Sequence, residues 1–464
     1  MFSTSPLDWL LVGAYFAFLV AVALGFRRAG SSAVEYLLAG RRVTLPAFVA
    51  TLVTTWYGGI LGVGEYSWRY GVSNWLVFGV PYYIGALLFA LLFARRARTA
   101  ELYTVPDVVA RRYGRGPALM AAFTVFICSA PAAYVLMLGT LFAAMFPMSL
   151  TAGVIAASLL SLFYIHRGGM RSVVFSDQVQ FVLMYAGFAM MLGVLVTRHG
   201  GLGFLRTHLP ATHFAWNGGN PAASIIVWYF IALVTLVDPG FWQRAYAARD
   251  PRVARAGVLW SIACWIVFDF MTTACGMYAR ALLPHLAQPV FAFPELAKRV
   301  LPAGALGLFY LAMIATVMST IDSYGFIAAT TIGRDVVWRL RGESDESRMP
   351  AYTRWGLWVT AAFGTALALV SHSIIDLWHD LGSLGAPTLL LPVASALSGR
   401  GLVSGRWMLA AMIVPFILTL SWMLPKDLGP PGSTPPFGIE PIYVGLTASL
   451  AMWILGRLAR GASP

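Results

Sequence analysis

Long apolar runs separated by short polar stretches rich in arginine are the dominant pattern of this chain. Thirteen runs can be read, at about residues 8–26, 46–69, 73–94, 117–146, 150–166, 173–196, 223–241, 255–283, 305–332, 353–371, 374–397, 407–424 and 440–457. Most are near or above the ~20 residues a helix needs to cross the hydrocarbon core of a bilayer. The pattern predicts an all-α polytopic membrane protein with thirteen transmembrane helices, so the lipid bilayer is its first partner. Three connections exceed minimal length, at 197–222, 284–304 and 338–352. The stretch 425–441, with Pro430, Pro431, Pro435 and Pro436, reads as an extended linker before the last helix. No connection is long enough to be a soluble output domain, which argues against a receptor or sensor.

Composition agrees with the pattern: 59% of the 464 residues are hydrophobic and 11% charged. The net charge of +13 could suggest nucleic acid, but the basic residues are scattered in twos and threes between the runs. They read as topology signals. With the N-terminus outside, the inner loops hold Arg27, Arg28, Arg41, Arg42, Arg95, Arg96, Arg98 and others, 25 of the 32 Lys and Arg. The outer side keeps Arg69, Arg198, Arg206, Arg280, Lys298, Arg299 and Lys426. That asymmetry puts the N-terminus outside a cytoplasmic (inner) membrane and the C-terminus in the cytoplasm. Cys128, Cys264 and Cys275 all fall within runs and are expected as free thiols. The first run has no basic stretch before it and no cleavage signal after it, so it reads as a retained helix. Nothing calls for an obligate protein partner.

Polar residues inside the runs carry the chemistry. Met318-Ser319-Thr320-Ile321-Asp322-Ser323 lies mid-way along the ninth run, where a carboxylate and three hydroxyls need partners. At helical spacing Thr316, Ser319, Asp322 and Ser323 share one face, a row of oxygens suited to a small hard cation. The second run is crowded with Gly58, Gly59, Gly62 and Gly64, which weaken a helix and free backbone carbonyls. Five runs later, Thr235-Leu236-Val237-Asp238-Pro239-Gly240 breaks the seventh. Two interrupted helices at corresponding places in two five-helix sets point to an inverted-repeat transporter with its site between the breaks.

Four segments then carry a resemblance. They are Glu35-Tyr36-Leu37-Leu38-Ala39-Gly40-Arg41; Gly168-Gly169-Met170-Arg171 running through Ser176-Asp177-Gln178-Val179-Gln180; Asp238-Pro239 with Gln243-Arg244-Ala245 and Ala247-Ala248-Arg249-Asp250; and the Met318–Ser323 segment. In this order the chain resembles the sodium:solute symporter family over nearly its whole length. The resemblance implies a LeuT-like core of two inverted five-helix repeats, here 46–196 and 223–397. One extra helix at 8–26 would precede the core and two, within 407–457, would follow it. It also implies a sodium site of backbone carbonyls at about Thr54 and Tyr57, the carbonyl of Thr316, and the hydroxyls of Ser319 and Thr320. A second cation or a proton would lie among Asp177, Ser319, Asp322 and Ser323, where two carboxylates face each other; the alternative for Asp177 is a pair with an arginine such as Arg171. One sodium ion, or two, is therefore expected.

For the solute, the resemblance implies a pocket beside the sodium, for which this sequence offers Trp56, Tyr57, Glu65, Tyr82, Tyr83, Asp238, Asp269 and Asp380. The sequence shows no membrane-embedded Lys or Arg, and Asp269 and Asp380 have no evident cationic neighbour. Such a pocket suits a cationic amine or a polyol. The expected function is sodium-coupled secondary active import of a small polar solute, with proton coupling on the same fold as the alternative. A membrane-embedded transferase is the remote alternative, because no histidine–acid catalytic pair, nucleotide loop or metal triad is present. No catalytic residue is assigned.

Overall fold

In hydrocarbon a long apolar run satisfies its backbone by hydrogen bonds within itself, as a helix. The computed structural model describes residues 5–25, 32–371, 373–398, 402–427, 429 and 433–461. Arg27, Arg28, Pro430 and Pro431 lie outside them, as does Phe26 at the end of the first run. Most described residues of each of the thirteen runs are helical, with the second run interrupted at residues 57–59 and the fourth at Ala130 and Pro131. The helices used below are α1 (Pro6–Gly25), α2 (Leu45–Trp56), α3 (Ile60–Tyr70), α4 (Val80–Leu92), α5 (Arg115–Ser129), α6 (Ala132–Met145), α7 (Leu150–His199), α8 (Ala222–Ile231), α9 (Pro239–Ala247), α10 (Pro251–Leu282), α11 (Ala305–Thr330), α12 (Met349–Val370), α13 (Ile374–Leu397), α14 (Gly405–Asp427) and α15 (Pro441–Gly461). Among the described residues nine helical segments are long and apolar enough to cross a membrane, or ten if the bent pair α2–α3 is one crossing. Outward-facing Val182, Phe270 and Trp358 are each more than half exposed, as lipid-facing side chains are.

At the centre stands α11. Its apolar stretch is 89% buried, so its polar side chains find partners on neighbouring helices or on carbonyls of their own helix rather than in solvent. Two broken helices flank it. The first bends by 61° between α2 and α3, at Tyr57-Gly58-Gly59. Glycine is required there for close approach: a Cβ on Gly58 would come within 2.1 Å of the Thr320 hydroxyl. In the second, α8 tightens into a 3₁₀ turn at Ala232–Leu236 and stops, and α9 restarts at Pro239. Asp238 caps the restart, its Oδ1 accepting from the N–H groups of Gly240 at 2.8 Å and Phe241 at 3.2 Å. The chain entering α2 and the chain leaving α9 are tied by two backbone bonds, Val43 N–H to Ala247 O at 3.1 Å and Arg249 N–H to Val43 O at 2.9 Å.

The fifth and sixth runs, separate in the sequence reading, join without a loop into α7. The turn between them is made inside the helix by Gly169, whose φ of +59° an L side chain rarely adopts. A Cβ there would also lie 2.6 Å from the carbonyl of Tyr36. Cys128, Cys264 and Cys275 are free thiols.

The arginine-rich end of the bundle is closed by buried ion pairs. Asp107, on the short helix Val105–Tyr113, meets Arg334 at 2.6 Å and also Arg339, both on the π-helical continuation of α11 and the turn after it. Asp335 meets Arg334 at 2.5 Å and Arg339 at 3.7 Å. Burial works to raise the Asp107 carboxyl, but the two guanidinium groups outweigh it and hold it below the usual carboxylate range. Its contribution to stability is therefore full above the ordinary aspartate pKa and fades as pH falls through the lowered value.

Removing one partner of a buried pair strands the other charge. Asp107→Ala should lower stability by about 3–5 kcal/mol, measured as the unfolding midpoint of purified protein in detergent. Glu343→Ala, which removes the partner of the 64%-exposed Arg348, should cost about 0–1 kcal/mol. Equal losses in the two variants would show that the Asp107 cluster does not hold that end closed.

Candidate functional site

The break between α2 and α3 leaves carbonyl oxygens without helical donors, and α11 supplies a hydroxyl to them. Thr320 Oγ1 lies 2.9 Å from the carbonyl oxygen of Thr55, 3.2 Å from that of Thr54 and 3.4 Å from that of Thr316. The structure thus brings Thr54, Thr316 and Thr320 together and adds Thr55, which the sequence reading did not name. Tyr57 is the first residue beyond α2. Ser319, one position before Thr320, points elsewhere, and its hydroxyl donates to Asp177 Oδ1 at 2.6 Å.

Asp177 opens a second buried cluster, and here two expectations change. The chain does have an arginine inside the bundle. Arg244 on α9, counted with the inner loops because the seventh apolar run stops three residues earlier, is wholly buried. The continuation of α9 to Ala247 carries it into the packing. Its Nη2 donates to Ser323 at 2.5 Å, Thr55 at 2.8 Å and Thr51 at 3.2 Å, and lies 3.9 Å from Asp177 Oδ2. Nη1 donates to Gln243 Oε1 at 3.0 Å. Thr51 also donates to Asp177, so both carboxylate oxygens have hydroxyl partners. Asp177 therefore pairs with Arg244, whereas Arg171 meets Glu35 at 3.2 Å. Asp322 stands apart. Both its oxygens are buried without a well-formed hydrogen bond among the described residues, and the Ser161 hydroxyl is the polar group that interacts with it.

Beside these clusters is a cavity of about 160 Å³ lined by Trp56, Tyr57, Tyr82, Asp238 and Asp269, among others. Tyr57 donates through its hydroxyl to Asp269 Oδ1 at 2.5 Å, and Tyr83 donates to Oδ2 from behind the wall. The second oxygen of Asp238 accepts from Tyr324 at 2.8 Å. The sequence reading missed Phe78, Tyr134, Tyr324 and Trp378 in the lining. Trp378 had a signal of sorts in the glycines opposite it, since a Cβ on Gly59 would lie 2.1 Å from its ring.

Two expected pocket residues lie elsewhere. Glu65 pairs with Arg69 at 2.9 Å, one helical turn on. Asp380 has cationic neighbours after all: Lys426 at 3.7 Å and His379 at 3.2 Å, the latter also 3.2 Å from Glu440. The α14 helix runs past the apolar stretch to Asp427 and so delivers Lys426 to α13. His379 in turn holds the Glu440 carboxyl below its ordinary value through their hydrogen bond.

The sequence profile described as SSF: Sodium:solute symporter family matches residues 36–415. The sodium/proline symporter of Staphylococcus aureus is 23% identical over 456 residues, covering 90% of this chain and 86% of its own. The sodium/pantothenate symporter of Escherichia coli (strain K12) is 24% identical over 455 residues, covering 93% and 91%. A solved structure of a Na+-coupled sialic acid symporter, substrate-bound and outward-open, superposes with a TM-score of 0.80 at 16% identity, covering 99% of this chain and 98% of that one. That likeness establishes a shared fold. The match to the profile spans most of the chain, which therefore belongs to the sodium:solute symporter family and is a transporter rather than an enzyme.

Proposed function

We propose that this protein is a secondary active symporter that binds one sodium ion at the break between α2 and α3 and uses its gradient to import a small polar solute held in the adjoining cavity. The observation that carries the reading is the cluster of Thr320 Oγ1 with the carbonyls of Thr54, Thr55 and Thr316. Sodium is a hard cation that takes such oxygens, and a hydroxyl can turn its proton away to offer a lone pair. The carbonyl of Tyr57 completes the proposed shell, and Ser319 joins it by turning its hydroxyl from Asp177, which it meets at 2.6 Å, toward the ion. The solute residues proposed are Trp56, Tyr57, Tyr82, Asp238 and Asp269, with Tyr83 behind them. Glu65 and Asp380 are left out because their partners lie away from the cavity.

The proposed core is two inverted repeats, 46–196 and 223–397, within thirteen crossings, with 8–26 before them and 407–457 after. Its support is the matched placing of the two breaks. The proposed setting is a cytoplasmic membrane with the N-terminus outside.

A second reading concerns the group Asp177, Ser319, Asp322 and Ser323. Arg244 already supplies a cation to Asp177 and Ser323, so a second sodium has no need to bind there. Asp322 has no such cation, and it is the group proposed to take a coupling proton.

Thr320→Ala and Ser319→Ala should each raise the sodium concentration for half-maximal uptake several-fold, by removing one oxygen from a small shell. Unchanged sodium activation in both, at normal expression, would remove the site. Sodium activation in the unaltered protein should be hyperbolic, with a midpoint that moves with pH. Asp322→Asn should abolish the pH dependence and leave the curve hyperbolic. A sigmoidal curve that becomes hyperbolic in Asp177→Asn would instead establish a second sodium. In a background lacking native cysteines, an impermeant maleimide applied to whole cells should label Thr207→Cys and spare Glu346→Cys; the reverse would invert the proposed orientation.

A further inference from the structure

We infer that the solute carried in the central cavity is a small organic monocation, recognised by aromatic rings and by the carboxylates of Asp238 and Asp269. This rests on the proposed transport reading and deepens it. Among the described residues seven aromatic side chains line the cavity, and the lining includes those two carboxylates but no Lys, Arg or His. A cation held against aromatic faces gains from their negative quadrupoles, most when it is removed from water. A carboxylate-bearing solute would find no cationic side chain to receive it.

The balance of charge gives the sign. Arg244 is the buried cation of the neighbouring cluster, but its Nη groups go to Thr51, Thr55, Ser323 and Gln243, and it pairs with Asp177. Those two charges offset each other. Asp322, the group proposed above to take a proton, adds no charge while it holds that proton. Asp238 and Asp269 remain, each held by donors that fix it in place: Gly240, Phe241 and Tyr324 for the first, and Tyr57 and Tyr83 for the second. One sodium at the α2–α3 break offsets one of these carboxylates. A solute with a single positive charge offsets the other, a neutral solute leaves it unmatched, and an anion adds to the imbalance. In a medium of low effective dielectric that difference is strong enough to select among solutes.

Size sets the second limit. An apolar cavity of about 150 Å³ takes a molecule the size of benzene, so a cavity of about 160 Å³ accepts roughly five to ten non-hydrogen atoms. The lining is mostly apolar apart from the carboxylates and the phenol groups, which suits a cation whose charge is buried in methyl or methylene groups.

Three probes of one shape and different charge test this: tetramethylammonium, tert-butanol and pivalate. Each is titrated into the purified full-length protein in detergent, with sodium present and then replaced by potassium at constant ionic strength, and the unfolding midpoint is followed. Sodium alone should raise the midpoint. Tetramethylammonium should raise it further and saturably, with an apparent affinity at least about tenfold above that of either isostere. Asp269→Asn should reduce this preference for the cation over tert-butanol by roughly tenfold and keep the sodium-induced shift. The unaltered protein decides the matter even where the variant fails to fold. A sodium shift with no saturable response to tetramethylammonium, or with equal responses to the neutral or anionic isostere, overturns the monocation and leaves sodium transport standing. Absence of any sodium shift overturns the transport reading beneath it.

Discussion

An interrupted helix inside a bilayer must have its free carbonyls met by protein or by a ligand, because lipid offers no donors. This structure depends on how the chain meets that demand at Tyr57-Gly58-Gly59. The absence of a side chain on Gly58 lets α11 come close enough for Thr320, which also meets the Thr316 carbonyl of its own helix, to reach the two carbonyl oxygens of Thr54 and Thr55. The same absence on Gly59 lets the Trp378 ring from α13 close over the break. A methyl group at either position would push these elements apart. The oxygen cluster at the break and one wall of the cavity are consequences of a single local weakness in one helix.

The second organising feature is a buried charge. Arg244 and Asp177 cost desolvation energy, which is recovered only when their remaining donors and acceptors are satisfied. Here the hydroxyls of Thr51, Thr55, Ser319 and Ser323 meet the Asp177 oxygens and the Arg244 Nη2, leaving the Arg244 Nε without a partner among the described residues, and draw α2, α7, α9 and α11 to one point. The backbone pairing of Val43 with Ala247 and Arg249 fixes the ends of α2 and α9 nearby. Any change in the angle between those helices must rearrange this cluster, which makes it a structural register for the pair of broken helices.

Much of this was legible in the sequence, and the reasons differ from residue to residue. The apolar runs announce helices because a bilayer permits little else, and a glycine cluster or an Asp-Pro pair inside a run announces a break. Thr316 and Thr320 lie one turn apart, so their meeting with a break on a neighbouring helix needed only the pairing of two runs. Arg244 was not legible as buried: it lies just past an apolar stretch, and only the continuation of α9 carries it inward. Asp380 looked isolated because its cation, Lys426, belongs to the next helix and reaches it through the extra length of α14. Trp378 and Tyr134 carry no local mark that separates a cavity wall from ordinary packing, since that depends on which helix faces stay apart.

Tyr57 joins the two halves of the site. Its backbone ends α2 beside the oxygens proposed to hold the ion, while its hydroxyl donates to Asp269 at 2.5 Å and lies 2.7 Å from Thr272 on α10. An ion bound at the proposed site would fix the backbone at the break and with it the place of the Tyr57 ring in the cavity wall. A solute contacting that ring would bias the backbone in return. Coupling between binding sites is reciprocal by thermodynamic necessity, and a single residue shared between the two sites is the shortest route by which it can act. This route requires no long-range change of shape before the first ligand is felt by the second, only that the break and the ring move as one body.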